Sequence, residues 1–222
     1  MTFRFPIRII LPLLLIWLPF QVLAQKNIYE SEKFDEYTQD HEVLAILPFF
    51  SHLELKSKPT PEERQELAKK EGYAVQNALE TYFNKRKKRK KFSVTFQNID
   101  ETNALLAKAG IDYGNLDVHT PKELSKLLGV DGIISGNLDV NILLSKGIPE
   151  SGFSLLEYVT GEANYGRIGI KISDGKSGKL LWKYEKSISK KNGKNTNEFI
   201  DDMMKKATRK FPYEREKRKK TK

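Results

Sequence analysis

Cysteine is absent from all 222 residues, which excludes disulfides, thiolate zinc centres, thiol nucleophiles and lipid attachment through a cysteine. Histidine is scarce. His41, His52 and His119 are the only three, and none has the spacing to a second histidine or carboxylate that a metal site needs. Each reads as a solvated side chain in a loop or at a strand edge. Ser135 lies in Ile-Ser-Gly rather than in a Gly-x-Ser-x-Gly elbow. Asp174-Gly175-Lys176-Ser177-Gly178 lacks both the phosphate-loop glycine spacing and a calcium ligand set, so a hairpin turn accounts for it. No catalytic, metal or cofactor-binding residue is expected, and no enzymatic activity. No internal repeat of 20 to 50 residues is visible.

Apolar runs of membrane-spanning length are also missing. The longest, Ile9 to Phe20, falls short of the roughly 20 residues a span requires and contains Pro12 and Pro19. Preceded by Arg4 and Arg8 and followed by Val22-Leu23-Ala24, it reads instead as an export leader cleaved after Ala24. The remaining chain would then work outside the cytoplasm, in a periplasm or beyond it.

Positive charge is plentiful but unevenly placed. The chain carries a formal +10, or +8 once Arg4 and Arg8 leave with the leader. Lys85, Arg86, Lys87, Lys88, Arg89, Lys90 and Lys91 contribute +7, and residues 214–222 contribute +4, so the rest of the body is −3. A mildly acidic body with two basic appendages differs from a uniformly basic nucleic-acid surface. The run at Lys85 to Lys91 reads first as a solvated helix end. As a functional element it suits an anionic membrane surface, since no aromatic interleaves it as in a strand-stacking surface.

Within the body, hydrophobic periodicity and capping signals predict a single α/β (α+β) domain over residues 43–213. Residues 25–42 are a polar leader or edge segment. Val43 to Phe50 is an apolar strand covered on both faces, ended by Pro48. Thr60-Pro61-Glu62-Glu63 caps a helix to about residue 86, and Phe92, Val94 and Phe96 alternate as a second strand. Asp100 is read as the cap of a short helix stopped by Gly110. Thr120-Pro121-Lys122-Glu123 caps the next helix, ended by Gly129. A long strand reaching Leu144 then places Ile134, Gly136, Leu138, Val140, Ile142 and Leu144 on one face and Ser135, Asn137, Asp139 and Asn141 on the other. A hairpin turning at Asp174 to Gly178 carries Trp182 on its return strand. A final helix capped by Asn195 or Thr196 follows, then a charged tail, 214–222, with nothing to bury and expected to be disordered. The order is β-α-β-α-α-β-β-β-α, about five strands in a mixed sheet packed by three to four helices.

Three of these stretches together resemble the CsgG-like and TolB amino-terminal-like envelope domains. The shared features are Pro48-Phe49 ending the first strand, Gly129-Val130-Asp131 leading into a strand that contains Gly136, and the Asp174 to Gly178 hairpin before Trp182. The resemblance implies a non-catalytic exported domain that binds envelope proteins through protein–protein contacts; no cofactor is expected, and export argues against nucleic acid. The alternative reading is a subunit of a homo-oligomeric envelope or secretion assembly; a hydrolase with an unrecognised site ranks below both. Residues 146–161 are too short and too polar for the membrane-spanning hairpin of channel-forming members.

Overall fold

Neighbouring apolar residues on one strand, Ile133 and Ile134, point to opposite sides of the sheet, and both are buried. That parity requires helices on two faces. The computed structural model describes residues 27–87, 92–146, 164–189, 195–207 and 211–214. These form a mixed α+β domain with a seven-stranded sheet and five α-helices.

The elements are β1 (Ile28–Glu30), α1 (Phe34–Thr38), β2 (Val43–Ile46), β3 (Phe50–Leu53), α2 (Pro61–Lys87), β4 (Thr95–Phe96) and α3 (Ile99–Lys108). Then come α4 (Pro121–Leu128), β5 (Gly132–Val140), β6 (Asn164–Asp174), β7 (Leu180–Ser189) and α5 (Thr196–Ala207). The strands lie in the order β1-β7-β6-β5-β2-β4, with β3 also paired to β5. β2, β3 and β4 pair in parallel, whereas β5, β6, β7 and β1 form an antiparallel half.

The larger core packs α2 and α5 on one face, where Ile134, Leu138, Ile168, Ile170, Ile172 and Trp182 meet Leu79, Phe83, Ile200 and Met203. On the opposite face α3 and α4 bring Leu106, Leu124 and Leu128 onto Ala45, Leu47 and Ile133. This second layer covers β2 and the start of β5. Farther along, Asn137 and Asp139 on that face are exposed.

Local signals predicted from the sequence hold where they are compact. Thr120 and Glu123 complete a capping box, and Gly129 ends α4 at φ +66°. Thr60 and Glu63 form the same reciprocal pair at α2. Glu198 N donates to Asn195 Oδ1, making Asn195 the cap of α5. At α3 the cap is Asn98, not Asp100: its side chain accepts from Asp100 N and Glu101 N. Both residues have the chemistry of a cap, and only Asn98 has the extended backbone that cap needs.

Two further differences concern the first strand and the segment before it. The predicted strand Val43 to Phe50 divides into β2 and β3. Four steps from Ile46 to Phe50 match three on β5 from Ile134 to Asn137, so one residue is extra, as in a bulge. Pro48, without an amide hydrogen, sits in that break. The polar segment 25–42 contributes β1, whose Tyr29 pairs with Lys183 at the sheet edge, and α1, whose Phe34 is buried. The leader expected at residues 1–24 lies outside the described residues.

Candidate functional site

At the start of β5, residues far apart in sequence are tied together by polar contacts. His41 precedes β2, Asp174 ends β6 and Tyr213 lies near the end of the chain; they are 7%, 1% and 0% exposed. His41 Nε2 lies 3.0 Å from Asp174 Oδ1 and Nδ1 lies 2.7 Å from Tyr213 Oη. An ionised carboxylate only accepts, so Nε2–H is the donor to Asp174 and, in the neutral ring, Nδ1 accepts from Tyr213. The other Asp174 oxygen accepts from Ser177 N at 2.6 Å and Ser177 Oγ at 2.5 Å. Burial pushes the Asp174 carboxyl upward, but hydrogen bonds from Ser177 and His41 outweigh it and hold the group below the ordinary carboxylate range.

Asp131 extends the same knot. Its Oδ2 accepts from Glu42 N at 2.8 Å and Val43 N at 2.9 Å, while its carbonyl accepts from Gly175 N at 2.8 Å. A Cβ on Gly175 would lie 2.7 Å from that carbonyl. An oriented imidazole beside a carboxylate is the arrangement of a general base. Here, however, both ring nitrogens are occupied by buried partners, so the arrangement is a latch. His41, expected as a solvated loop residue, is corrected accordingly: burial and two side-chain partners make it structural.

The signature residues explain one another. The bulge at Pro48 directs Phe49, which is fully buried, over β5. A Cβ on Gly136 would meet the Phe49 ring at 2.3 Å and Gly169 O at 2.0 Å. Gly72 in α2 permits a second close approach, since its Cβ would lie 2.1 Å from Phe49 O. Phe49 N donates to Gly72 O at 3.2 Å. Trp182 is fully buried, with its ring 5.7 Å from Phe211. Gly178 supplies φ +71° at the hairpin turn.

Next to Gly72, Glu71 is 1% exposed. It accepts from Ser145 N at 3.1 Å and from Ser145 Oγ, capping the short turn Leu144–Lys146 that follows β5. Burial raises its pKa, and the Ser145 hydrogen bonds offset this only in part. Tyr113 Oη donates to carbonyls of Phe49 and Ala68 and accepts from Ser51 N at 2.9 Å. Its pKa is raised by burial. Nothing in the local sequence marks Glu71 or Tyr113, because their partners lie 74 and 62 residues away.

Beyond these ties, β5, β6 and β7 present a polar face. Register places Ser135, Asn137 and Asp139 opposite Lys171, Gly169 and Arg167, which in turn face Lys183, Glu185 and Ser187. Asn137, Asp139, Arg167 and Ser187 are exposed. Lys183 Nζ sits 2.5 Å from Glu185 Oε1, and Lys171 Nζ sits 3.3 Å from Asn137 Oδ1. The hydrogen bond from Lys183, aided by the charges of Lys183, Arg167 and Lys171, lowers the Glu185 pKa. At one end, His52, Glu54, Asp139, Val140, Asn141 and Gly166 line a recess of about 380 Å³. His52 is exposed and pairs with Glu54 at 3.4 Å; His119 is half-buried. No group of three metal-ligating side chains occurs among the described residues.

Of the basic run, Lys85 is exposed at the end of α2, which also contains Arg86 and Lys87. Lys88, Arg89, Lys90 and Lys91 lie outside the described residues, as do residues 215–222.

No family model matches the sequence, and no curated protein matches it. Among solved structures, lipoprotein GNA1162 from Neisseria meningitidis is 13% identical over 75% of this chain and 94% of its own, with a TM-score of 0.43. The LpoB C-terminal domain from Salmonella enterica is 10% identical over 71% of this chain and 93% of its own, with a TM-score of 0.35. The PelC dodecamer from Paraburkholderia phytofirmans is 10% identical over 73% of this chain and 86% of the PelC chain, with a TM-score of 0.32.

Proposed function

We propose that this chain is an exported, non-enzymatic accessory domain of the bacterial cell envelope, which binds a protein partner through the polar face of β5, β6 and β7. The observation that carries the reading is the division of the sheet. One face is covered by α2 and α5, the other only in part, by α3 and α4. The part left open displays amides and charges on paired strands. Rigid strands hold such groups in fixed positions, which favours docking. The resemblance to CsgG-like and TolB amino-terminal-like domains and the leader pattern at residues 1–24 support the same reading. The most base-like group, His41, is committed to the latch.

A photo-crosslinking side chain at Asn137 or Ser187, tested in intact cells, is expected to give one discrete adduct. The same group at Glu62 or Asn77, exposed on α2 across the sheet from that face, is expected to give none. Absence of an adduct from both face positions overturns the reading. An adduct of twice the chain's mass would replace it with self-assembly. Export is tested separately, by the amino terminus of the protein recovered outside the cytoplasm.

A further inference from the structure

The open face of the sheet carries one arrangement that folding does not call for. Register sets Tyr29 opposite Lys183, Lys183 opposite Lys171 and Lys171 opposite Ser135, in a row across β1, β7, β6 and β5. Like charges placed directly opposite one another destabilise a sheet. Of the two lysines, Lys183 has its Nζ 2.5 Å from Glu185 Oε1. Lys171, among the described residues, hydrogen-bonds only to the amide oxygen of Asn137, at 3.3 Å. Asp139, the other carboxylate on the open part of these strands, stands opposite Arg167. One positive charge of the row is therefore left without a carboxylate. At the end of the row Tyr29 leaves its ring half exposed, at 49%.

We propose that this row seats the anchoring residues of the partner: an Asp or Glu of the partner lies between Lys171 and Lys183, and an apolar side chain next to it covers Tyr29. The proposal deepens the accessory reading and rests on it. A single protein carboxylate is the occupant that the charges favour. Glu185, Asp139 and, at the recess, Glu54 would repel a polyphosphate or a nucleic-acid backbone, whereas one carboxylate matches the one uncompensated charge. The three donors of an ammonium let Lys183 hold Glu185 and the incoming group together. Strands lie about 4.8 Å apart, so Tyr29 is roughly 7 Å from the middle of the lysine pair. That is the span from residue i to i+2 of an extended chain. A segment with an acidic residue at one position and an apolar one two positions away fits the row.

The test places the photo-crosslinking group at Ser187, on the same face but outside the row, in the full chain in intact cells. Lys171→Glu is expected to lower the yield of the protein adduct about tenfold or more. The urea midpoint of that variant should hold or rise, because a glutamate opposite Lys183 turns a repulsive pair into an attractive one. Lys70→Glu makes the same charge change at an exposed site of α2 across the sheet and should leave the yield unchanged. Tyr29→Ser should lower it about fivefold or more. On the captured complex, a carbodiimide, which joins an amine to a carboxylate only in direct contact, should link Lys171 or Lys183 to an Asp or Glu of the partner. This link is read on unaltered lysines, so it decides the proposal even if Lys171→Glu unfolds.

An absent adduct, or one of twice the chain's mass, overturns the accessory reading and this proposal with it. An adduct that survives Lys171→Glu overturns the proposal alone and leaves the accessory reading standing. Equal loss with Lys70→Glu, or a carbodiimide link to neither lysine, does the same.

Discussion

The two ends of β5 use similar residue types for opposite purposes. Around Gly132, His41, Asp174 and Tyr213 are buried against one another, with half-buried Asp131 beside them, and tie the segments at residues 41 and 213 to the hairpin. Around Asp139, a histidine and two carboxylates face solvent beside a recess. Side-chain identity does not separate them; burial does, since Phe34 packs on Tyr213 in the larger core over the first group, whereas the second helix layer stops short of Asp139. Ionisable groups become structure where their partners are buried with them and remain available where they are not.

The comparison breaks most visibly at Asp174. Asp174→Ala strands the buried His41 donor, at about 1 to 3 kcal/mol, and removes two hydrogen bonds from exposed Ser177 to a charged acceptor. A loss of about 3 kcal/mol or more in urea unfolding is expected, and a loss under about 1 kcal/mol would refute the latch. Gly136→Ala comes next, because its Cβ overlaps the Phe49 ring and Gly169 O. Overpacking of this kind costs about 1 to 3 kcal/mol. At the open end, Asn137→Lys should change stability by no more than about 0.5 kcal/mol while abolishing the face-specific crosslink. Glu185→Gln removes a half-exposed ion pair and should cost comparably little, about 0.5 kcal/mol, falling further in high salt.

Acidity sharpens the same contrast. Asp174 has a folded pKa below its unfolded value of about 3.9. Its contribution is complete above that value and is lost as pH falls through the lower, folded one. Glu71 has the opposite sign: its raised pKa means stability declines as pH rises from the unfolded toward the folded value. A stability profile from pH 2 to 7 should therefore lose part of its acid limb in Asp174→Asn, and the variant Glu71→Gln should lose the decline above pH 4.

Much of the architecture is legible from short-range chemistry. Thr120 and Glu123 are three residues apart, and Gly129 and Gly178 mark left-handed turns by themselves, so caps and hairpins can be read directly. The alternation along β5 likewise separates the core side from Asn137 and Asp139. His41 could not be read in this way, because its partners lie 133 and 172 residues away. β1 and α1 were obscured for a related reason: of their residues only Ile28, Phe34, Tyr37 and Thr38 turn inward from an otherwise polar segment. The Gly136–Phe49 contact joins two features that the sequence shows separately.

β5 also acts as a spacer. Seven steps of about 3.3 Å carry it roughly 23 Å from Gly132, beside the latch that roots the carboxy-terminal tail, to Asp139 at the recess. That is nearly three screening lengths of about 8 Å at physiological ionic strength. The two ends are therefore too far apart to couple, and the effects of Asp174→Ala and Asn137→Lys should add in a double variant.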